Sequence, residues 1–161
     1  MPRAREFRIG VISDTHGLIR PEALDALRGS DLILHAGDIG APHIIPTLRE
    51  VAPVVAIRGN IDDKYDWAEE LPQTEVVEAA GFQFYILHSV AELDLKPEAA
   101  QISAVIFGHS HKPEFYSKNE VLYFNPGSAG PRRFSLPISV GRITVSNGEL
   151  HPELITLDLK K

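Results

Sequence analysis

The sequence of 161 residues predicts a single α/β domain over residues 1–161, built on mixed sheets. In the first half, apolar runs alternate with short helical segments, which is typical of βαβ units and a parallel sheet. In the second half, apolar runs follow one another across turn signals, which indicates antiparallel strands. A third observation is that metal-ligating side chains directly follow several of the apolar runs.

The elements of the first half are apolar runs bounded by glycine and proline. They are predicted, in chain order, as a strand at 7–13, a helix at 21–28, a strand at 31–36, a helix at 42–51 and a strand at 54–57. Pro21 stands in the first turn of its helix, where a proline is favoured, and Gly29 ends that helix. Pro46 is expected to shift the start of the second helix.

The second half is predicted to contain two hairpins and one further helix. Ala80-Gly81 joins the first pair of strands, and Asn147-Gly148, a strong signal for a type I′ turn, joins the last pair. The strands are predicted at 74–79, 82–87, 104–107, 114–117, 121–124, 138–145 and 150–157. A helix is expected at 96–101, and residues 62–72 are expected to be a mobile or partner-facing segment.

Composition and charge restrict the function. The formal net charge of −6 argues against a broad nucleic-acid-binding surface. The absence of cysteine excludes disulfides, thiolate zinc sites and cysteine nucleophiles. The start of the chain is charged, and its first apolar stretch is too short for a signal peptide or a membrane span, so we expect a cytoplasmic protein without membrane contact. The oligomeric state stays open, a homo-oligomer included.

Seven side chains able to bind a metal lie just beyond five of the predicted strands. They are Asp14, His16, Asp38, Asn60, His88, His109 and His111. Strand ends of an α/β sheet form the crevice in which ligands bind, so we expect these side chains to meet. Gly17, Gly37, Gly59 and Gly108 lie next to them, where the backbone turns sharply or approaches a ligand closely.

The number and chemistry of these ligands indicate two divalent ions. A mononuclear tetrahedral zinc site uses only three or four protein ligands. Imidazole, carboxylate and amide oxygen together suit manganese, iron, nickel or zinc, and we expect Mn²⁺. A carboxylate can bridge two ions, and Asp38 is the candidate because it falls between the other ligands in the chain. Two such ions leave a positive site that attracts a phosphate.

Other polar residues have a structural and a functional interpretation. His35 lies inside an apolar strand, which favours a core histidine over a group that orients a metal ligand. Asp62 and Asp63 are expected to cap a turn, with a role in catalysis or in supporting the metal ligands as the alternative. His43 and His151 are expected to lie on the surface. The segment Asn125-Pro126-Gly127-Ser128 is either a turn or part of the site wall. Arg132 and Arg133 either grip a substrate phosphate or are solvated.

The ordered set of motifs resembles that of the calcineurin-like metallophosphoesterases. The motifs are Asp14-x-His16, Gly37-Asp38, Gly59-Asn60, His88 and Gly108-His109-Ser110-His111. With Asn125-Pro126-Gly127-Ser128 and so short a chain, the sequence is similar to the YfcE-like phosphodiesterase branch. The resemblance implies a four-layer α/β/β/α sandwich with mixed sheets.

The resemblance also implies a role for each motif residue. Asp14, His16 and His111 would hold one metal, and Asn60, His88 and His109 the other, with Asp38 between them. Asp38, Asn60, His88 and His109 are predicted to take part in catalysis, and Asn60 and Arg132 to bind substrate. The chain departs from the family at two positions. Ile61 stands where many members have a histidine that acts as general acid, and Ser89 follows His88 in place of glycine.

The predicted activity is hydrolysis of small phosphodiesters, of the cyclic nucleotide or aryl diester type, by a hydroxide that bridges two metals. Because Ile61 cannot donate a proton, leaving groups of low pKa should be favoured. The alternative is a protein-interaction scaffold of the retromer-subunit type, which keeps this fold. A haloacid dehalogenase would need a second carboxylate in Asp14-Thr15-His16, and no Walker A or Gly-x-Gly-x-x-Gly sequence supports a nucleotide binder.

Overall fold

The computed structural model describes residues 6–159, in which ten strands form two five-stranded sheets. The strands are β1 (Phe7–Ile12), β2 (Leu32–His35), β3 (Val54–Ala56), β4 (Thr74–Ala79), β5 (Phe82–Leu87), β6 (Ala104–Ile106), β7 (Glu114–Lys118), β8 (Val121–Asn125), β9 (Ser139–Ser146) and β10 (Glu149–Thr156). The helices are α1 (Pro21–Leu27) and α2 (Ile44–Arg49), with short 3-10 helices at Asn60–Lys64, Asp66–Ala68 and Val90–Glu92. The predicted domain of residues 1–161 extends at both ends, including the charged start of the chain, beyond the described residues.

Both sheets combine parallel and antiparallel strands, as the two halves of the sequence predict. The first sheet has the order β10-β9-β1-β2-β3, in which β1, β2 and β3 are parallel and β9 is antiparallel to β1. The second sheet has the order β4-β5-β6-β8-β7, with β5, β6 and β8 parallel and both edge strands antiparallel. The parallel strands of each sheet therefore all end at the same edge of that sheet.

The two sheets pack face to face and bury their inner side chains. Ile9 and Val11 of the first sheet belong to the same fully buried cluster as Phe84 and Phe124 of the second. On the outer face of the first sheet, α1 and α2 cover a second cluster. Burial on both faces explains why β1 and β2 are almost continuously apolar rather than alternating. The expected α/β sandwich of mixed sheets is confirmed.

Within residues 6–159, the outer layer of the second sheet contains no α-helix. Val90, Leu93 and Leu95 cover that face and pack against Tyr85 and Val105. They lie in a segment built from one 3-10 helix and a hydrogen-bonded turn. The fourth layer of the sandwich is thus reduced to irregular backbone.

The turns of the two predicted hairpins have the expected geometry. Ala80 and Gly81 have φ of 52° and 86°, and Asn147 and Gly148 have φ of 54° and 73°. Positive φ at both central residues matches the type I′ turn, whose twist suits a two-residue hairpin. The register, with Ala79 opposite Phe82, leaves exactly these two residues in the first turn.

Three predictions about elements need correction. Residues 96–101 form a turn rather than a helix, because the chain reverses at Gln101, where φ is 61°, to enter β6. Helix α2 is shorter than expected, and Pro46 lies in its first turn. The segment 62–72, expected to be mobile or partner-facing, contains most of the Asn60–Lys64 helix and all of the Asp66–Ala68 helix, and Trp67 in it packs against the helix-covered core.

Gly141 of β9 lies against Phe124 of the opposite sheet, and this contact generates a prediction. A Cβ at Gly141 would overlap the Cε1 and Cζ atoms of the Phe124 ring. We expect Gly141→Ala to lower the free energy of unfolding by about 1–3 kcal/mol, the usual cost of overpacking a core. Urea denaturation measures this change.

The double variant Gly141→Ala/Phe124→Leu is the control for that contact. Leucine removes the ring atoms that would overlap the new methyl group, so the two substitutions should cost less together than the sum of the single costs. Additive costs would show that the Phe124 ring is not the group that Gly141 accommodates.

Candidate metal centre

The candidate ligands meet in two groups at the edge where the parallel strands of both sheets end. One ligand atom from each of Asp14, His16 and His111 lies within 4.8 Å of the others. Asp38, His88 and His109 form a second group that meets the same limit. The loops after β1, β2, β5 and β6 supply these six side chains. The first group contains the three residues that the resemblance implies for one metal. The second contains His88 and His109 together with Asp38, the expected bridging ligand, and does not include Asn60.

Asp14 is fully buried, and its two oxygen atoms have different surroundings. Oδ2 accepts hydrogen bonds from the Ser13 hydroxyl at 2.7 Å and from the His109 backbone N–H at 3.1 Å. Oδ1 receives no hydrogen bond from the described part of the chain, although three histidine Nε2 atoms lie 3.4–3.8 Å away. Those atoms belong to His16, His88 and His111. Oδ1 is therefore free to bind a cation.

Asp38 lies between the two groups. Its Oδ1 accepts a hydrogen bond of 3.1 Å from the backbone N–H of Ile61. Its Oδ2 is 3.7 Å from Nε2 of His16, in the first group, and 3.1 Å from Nε2 of His88, in the second. A single oxygen atom thus approaches one imidazole of each group, which is the placement that a bridging ligand requires.

His88 is oriented by a backbone contact. Its Nδ1 donates to the carbonyl of Ala36 at 2.8 Å, which leaves Nε2 directed at the carboxylates. A hydrogen bond of this kind selects the imidazole tautomer that binds a metal. Ser89, which follows it, has an extended backbone with φ of −116°. Serine adopts that conformation readily, so the departure from glycine leaves His88 in place.

Buried atoms without hydrogen-bond partners test whether a cation fits the site. Asp14 Oδ1, His16 Nε2 and His88 Nε2 are buried and have no such partner among residues 6–159. Leaving a buried polar atom unpaired costs about 1–3 kcal/mol, so such atoms call for an explanation. Here the nitrogen and oxygen atoms that lack hydrogen-bond partners converge on one space. A divalent cation satisfies all of them together.

Without a bound cation, protonated histidine partly compensates the negative charge of the buried carboxylates. Burial by itself would raise the pKa of Asp14, but contacts with His111 and His16 hold it well below its usual range. Burial lowers the pKa of His88, yet the approach of Asp38 and the charge of Asp14 outweigh it and raise that pKa to about 9. A metal would replace these protons, since it binds neutral imidazole and ionised carboxylate.

Five of the seven candidate ligands have left-handed backbone conformations. The φ angles of Asp14, His16, Asp38, His109 and His111 lie between 47° and 74°. Such conformations are uncommon for residues other than glycine, and they concentrate at functional sites where surrounding contacts enforce them. Close approach also explains two of the glycines: a Cβ at Gly59 would overlap Asp38, and one at Gly108 would overlap Ser13.

His35 supports the two loops of the first sheet from within the core. Its Nδ1 accepts a hydrogen bond from Gly37 N–H, and its Nε2 lies 3.1 Å from the Thr15 hydroxyl, which donates to Ile39 O. Burial lowers the pKa of His35 to about 4, so the ring is neutral at pH 7. His35 is thus a core histidine, and it also positions Thr15, the residue between the candidate ligands Asp14 and His16.

The segment 125–128 supports the site from behind rather than forming its wall. The Asn125 amide donates to Gly108 O and to the Ser110 hydroxyl. The Ser128 hydroxyl donates to Asp14 O. Both residues are almost completely buried. They therefore hold the loops that carry the candidate ligands.

Asn60 and Arg132 lie in different surroundings. Asn60, at the start of its 3-10 helix, lines a cavity of about 590 Å³ together with His88 and His109. This places it beside the second group. Arg132 lies in an exposed loop and is not among the residues that line this cavity, so its substrate role stays a prediction. His43 and His151 are exposed, as expected.

Two further residues have a close relation to the site: Asp62, for which the sequence left a supporting role open, and Arg58, which sequence reasoning missed. Asp62 is completely buried, and its carboxylate accepts three backbone hydrogen bonds of 2.9 Å, from Ile39, Gly40 and Gly59. It therefore does more than cap a turn, since it ties the Asp38 loop to the Asn60 loop. Arg58 lines the cavity beside Asn60. Its position two residues after the end of β3, beside Asn60, was the sequence feature that could have identified it.

The fold and the site together agree with a known family. The family model described as the calcineurin-like phosphoesterase superfamily domain matches residues 7–148. The chain belongs to the calcineurin-like phosphoesterase superfamily.

Relatives within that family are named as metallophosphoesterases and phosphodiesterases. A probable metallophosphoesterase of Methanothermobacter thermautotrophicus is 34% identical over 161 residues, covering 91% of each chain. Phosphodiesterase YfcE of Escherichia coli K12 is 27% identical over 161 residues, covering 81% of this chain and 84% of the relative. The resemblance to the YfcE-like branch is confirmed, and with it the expectation that this chain is a metal-dependent phosphoesterase.

Solved structures confirm the fold. An archaeal phosphodiesterase superposes with a TM-score of 0.76 at 22% identity, covering 92% of this chain and 100% of that one. Vacuolar protein sorting 29 from Cryptosporidium parvum superposes with a TM-score of 0.74 at 16% identity, covering 92% and 96%. At these identities the likeness concerns the fold alone. Within residues 6–159, no helix has the length and apolar character that crossing a membrane requires.

The contacts of Asp62 generate a prediction about stability. In Asp62→Asn one acceptor oxygen becomes an N–H₂ donor that faces a backbone N–H, so at least one buried hydrogen bond is lost. We expect the free energy of unfolding to fall by about 3 kcal/mol, the upper end for hydrogen bonds to a charged group. Mn²⁺ affinity should fall as well, because the loops of Asp38 and Asn60 are no longer tied together. Urea denaturation and calorimetric titration measure the two quantities.

Asp63→Asn is the matched control for this substitution. It removes the same charge one residue away, where the side chain is half exposed and forms an ion pair with Arg58. Such a pair contributes at most about 1 kcal/mol. Equal destabilisation by the two variants would contradict the role assigned to Asp62.

Proposed function

We propose that the protein is a phosphodiesterase whose site holds two divalent metal ions. The observation that carries this proposal is the position of Asp38 Oδ2, close to one imidazole of each ligand group. Asp14, His16 and His111 would hold one ion, and Asn60, His88 and His109 the other, with Asp38 shared. The mixture of imidazole, carboxylate and amide ligands suits Mn²⁺, with Ni²⁺, Fe²⁺ or Zn²⁺ as alternatives.

The metal pair would supply Lewis-acid stabilisation of the phosphoryl oxygens and a water nucleophile near neutral pH. The residues of the chain fix the geometry in which this chemistry takes place. Ser13 and the His109 backbone hold one oxygen of Asp14 and leave the other free. Ala36 directs the Nε2 atom of His88 into the site. Preorganised groups of this kind need little rearrangement in the transition state, which is the main source of electrostatic catalysis.

The substrate class is inferred from the cavity beside the second ligand group. Its volume of about 590 Å³ lies in the range of small-molecule sites. A small phosphodiester, such as a cyclic nucleotide or an aryl diester, fits a space of this size. Ile61 offers only its backbone N–H, which is bonded to Asp38, so its side chain gives no proton to a departing alkoxide. This favours esters whose leaving groups have a low pKa.

A protein-interaction scaffold is the second candidate function. Its support is the structural likeness to vacuolar protein sorting 29, which at 16% identity concerns the fold. All seven positions in this chain carry metal-ligating side chains, and six of them gather into two groups. The presence of a complete ligand set, most of it gathered in space, favours the enzyme.

Hydrolysis of bis(p-nitrophenyl) phosphate tests the proposed function. Metal-stripped protein should be inactive, and Mn²⁺ should restore turnover, because both ligand groups need a cation to bind the phosphoryl oxygens. His109→Ala removes one ligand of the second group and should lower kcat by at least about 100-fold, as is usual when a catalytic metal is lost. Absorbance of p-nitrophenolate measures the rate. Tight metal binding without turnover for Mn²⁺, Ni²⁺, Fe²⁺ and Zn²⁺ would favour the scaffold.

The side chain at position 61 should control the leaving-group dependence. The rate for wild-type protein should fall steeply as the pKa of the leaving phenol or alcohol rises, since no side chain protonates it. Ile61→His introduces a proton donor, and we expect it to speed the poorest leaving groups by about 10- to 100-fold while changing p-nitrophenyl esters little. A series of methyl aryl phosphodiesters measures the slope. Ile61→Asn is the matched polar control, and an equal gain there would contradict the role of proton donation.

A further inference from the structure

The cavity beside the second ligand group contains one permanent cation. Among the residues that line it, all within the described part of the chain, Arg58 is the only lysine or arginine. The other charged lining residues are the carboxylates Asp63, Glu92 and Asp94. Asn60, two residues after Arg58, and the histidines of the second group line the same space. An anion that enters the cavity therefore meets one fixed positive charge, that of Arg58, two residues before the candidate ligand Asn60.

Arg58 is held in position but keeps most of its hydrogen-bonding capacity. Its backbone N–H donates to Pro72 O at 2.9 Å, which fixes the chain directly after β3. Its Nε lies 3.3 Å from Asp63 Oδ1 without the alignment of a hydrogen bond. Within residues 6–159, its guanidinium group donates no aligned hydrogen bond to the protein. The side chain is 27% exposed, so a ligand in the cavity can reach it.

We propose that Arg58 binds the phosphoryl group of the substrate. The proposal rests on the proposed function and adds to it a residue that contacts the reacting group. A guanidinium group presents paired N–H donors that match two oxygens of a phosphate, and it stays charged at every working pH. The carboxylates of Glu92 and Asp94, which are unpaired within residues 6–159, disfavour a phosphate beside them, whereas the Asp63 carboxylate is paired with Arg58. This makes the guanidinium group of Arg58 the place on the cavity wall where the phosphoryl oxygens bind.

The Asp63 ion pair gives this arrangement a physical advantage. Asp63 approaches the Nε edge of the guanidinium, so the side chain is oriented before substrate binds, and less conformational entropy is lost on binding. Because Asp63 is half exposed, it neutralises the charge of Arg58 only partly. Arg58 is thus a binding residue, and Asp63 is a positioning residue that acts through it.

Two measurements on the Mn²⁺-loaded protein test the proposal: hydrolysis of bis(p-nitrophenyl) phosphate, and calorimetric binding of inorganic phosphate. Arg58→Gln should weaken phosphate binding and lower kcat/KM by about 10- to 100-fold, the value of hydrogen bonds to a charged group. Arg58→Lys should fall between wild type and Arg58→Gln, because lysine keeps the charge but loses the paired donors. Both variants should still bind two Mn²⁺ ions with wild-type affinity.

Three further variants distinguish a direct contact between Arg58 and phosphate from a structural effect of losing its ion pair. Asp63→Asn breaks the same ion pair but keeps the guanidinium, and we expect less than a threefold loss of phosphate affinity. Arg49→Gln removes one charge from the exposed surface of α2 and should have no effect beyond nonspecific electrostatics. Arg132→Gln tests whether the exposed loop, rather than Arg58, supplies the phosphate contact.

Specific results would overturn the proposal. An Asp63→Asn loss equal to that of Arg58→Gln would make the ion pair purely structural, and so would loss of Mn²⁺ binding in Arg58→Gln. Unchanged phosphate affinity in Arg58→Gln would exclude Arg58 from the site. If wild-type protein binds phosphate through Arg58 but hydrolyses no diester, the proposed function fails while the assignment of Arg58 stands. If wild-type protein binds no phosphate, the assignment of Arg58 fails.

Discussion

The rest of the structure depends on the burial of two carboxylates, Asp14 and Asp38, at the meeting point of two sheets. A buried ionised carboxylate is costly unless opposite charge and hydrogen bonds compensate it. Here hydrogen bonds satisfy one oxygen of each carboxylate, and the remaining oxygens face only imidazoles. The arrangement leaves buried negative charge that a bound cation would neutralise. The candidate site is therefore a consequence of where the fold places negative charge.

Buried hydrogen bonds behind the site fix the positions of the candidate ligands. His35, Asp62, Asn125 and Ser128 are buried polar side chains that bond to the loops carrying the candidate ligands. They enforce left-handed backbone at residues such as Asp14 and His109, which would otherwise relax. Buried networks of this kind are stabilising only when every member is paired. The paired hydrogen bonds behind the site thus hold the ligand atoms within a few ångströms of one another.

Much of the fold and of the candidate site was predictable from local sequence. The parallel strands were visible as continuous apolar runs because both of their faces are buried. Asp38 and His88 were visible because each follows such a run. The link that Asp62 makes to the Asp38 loop was not, since Ile39 and Gly40 lie 23 and 22 residues away from it. The place of Arg58 was not, since it depends on which residues line the cavity. The helix expected at 96–101 was wrong because a single turn with helical composition carries no information about where the chain must reverse.

The sequence by itself determined which residue types follow which strands, and hence the chemistry available at one edge of the fold. Only the tertiary structure decided how those residues divide into two groups, which oxygen of Asp14 stays free, and that Asp38 lies between His16 and His88. The physical reason is that a strand-end position is a local property, whereas pairing across β1, β2, β5 and β6 depends on the order of strands in two sheets. Residues more than 90 positions apart, such as Asp14 and His109, become neighbours only when those sheets pack.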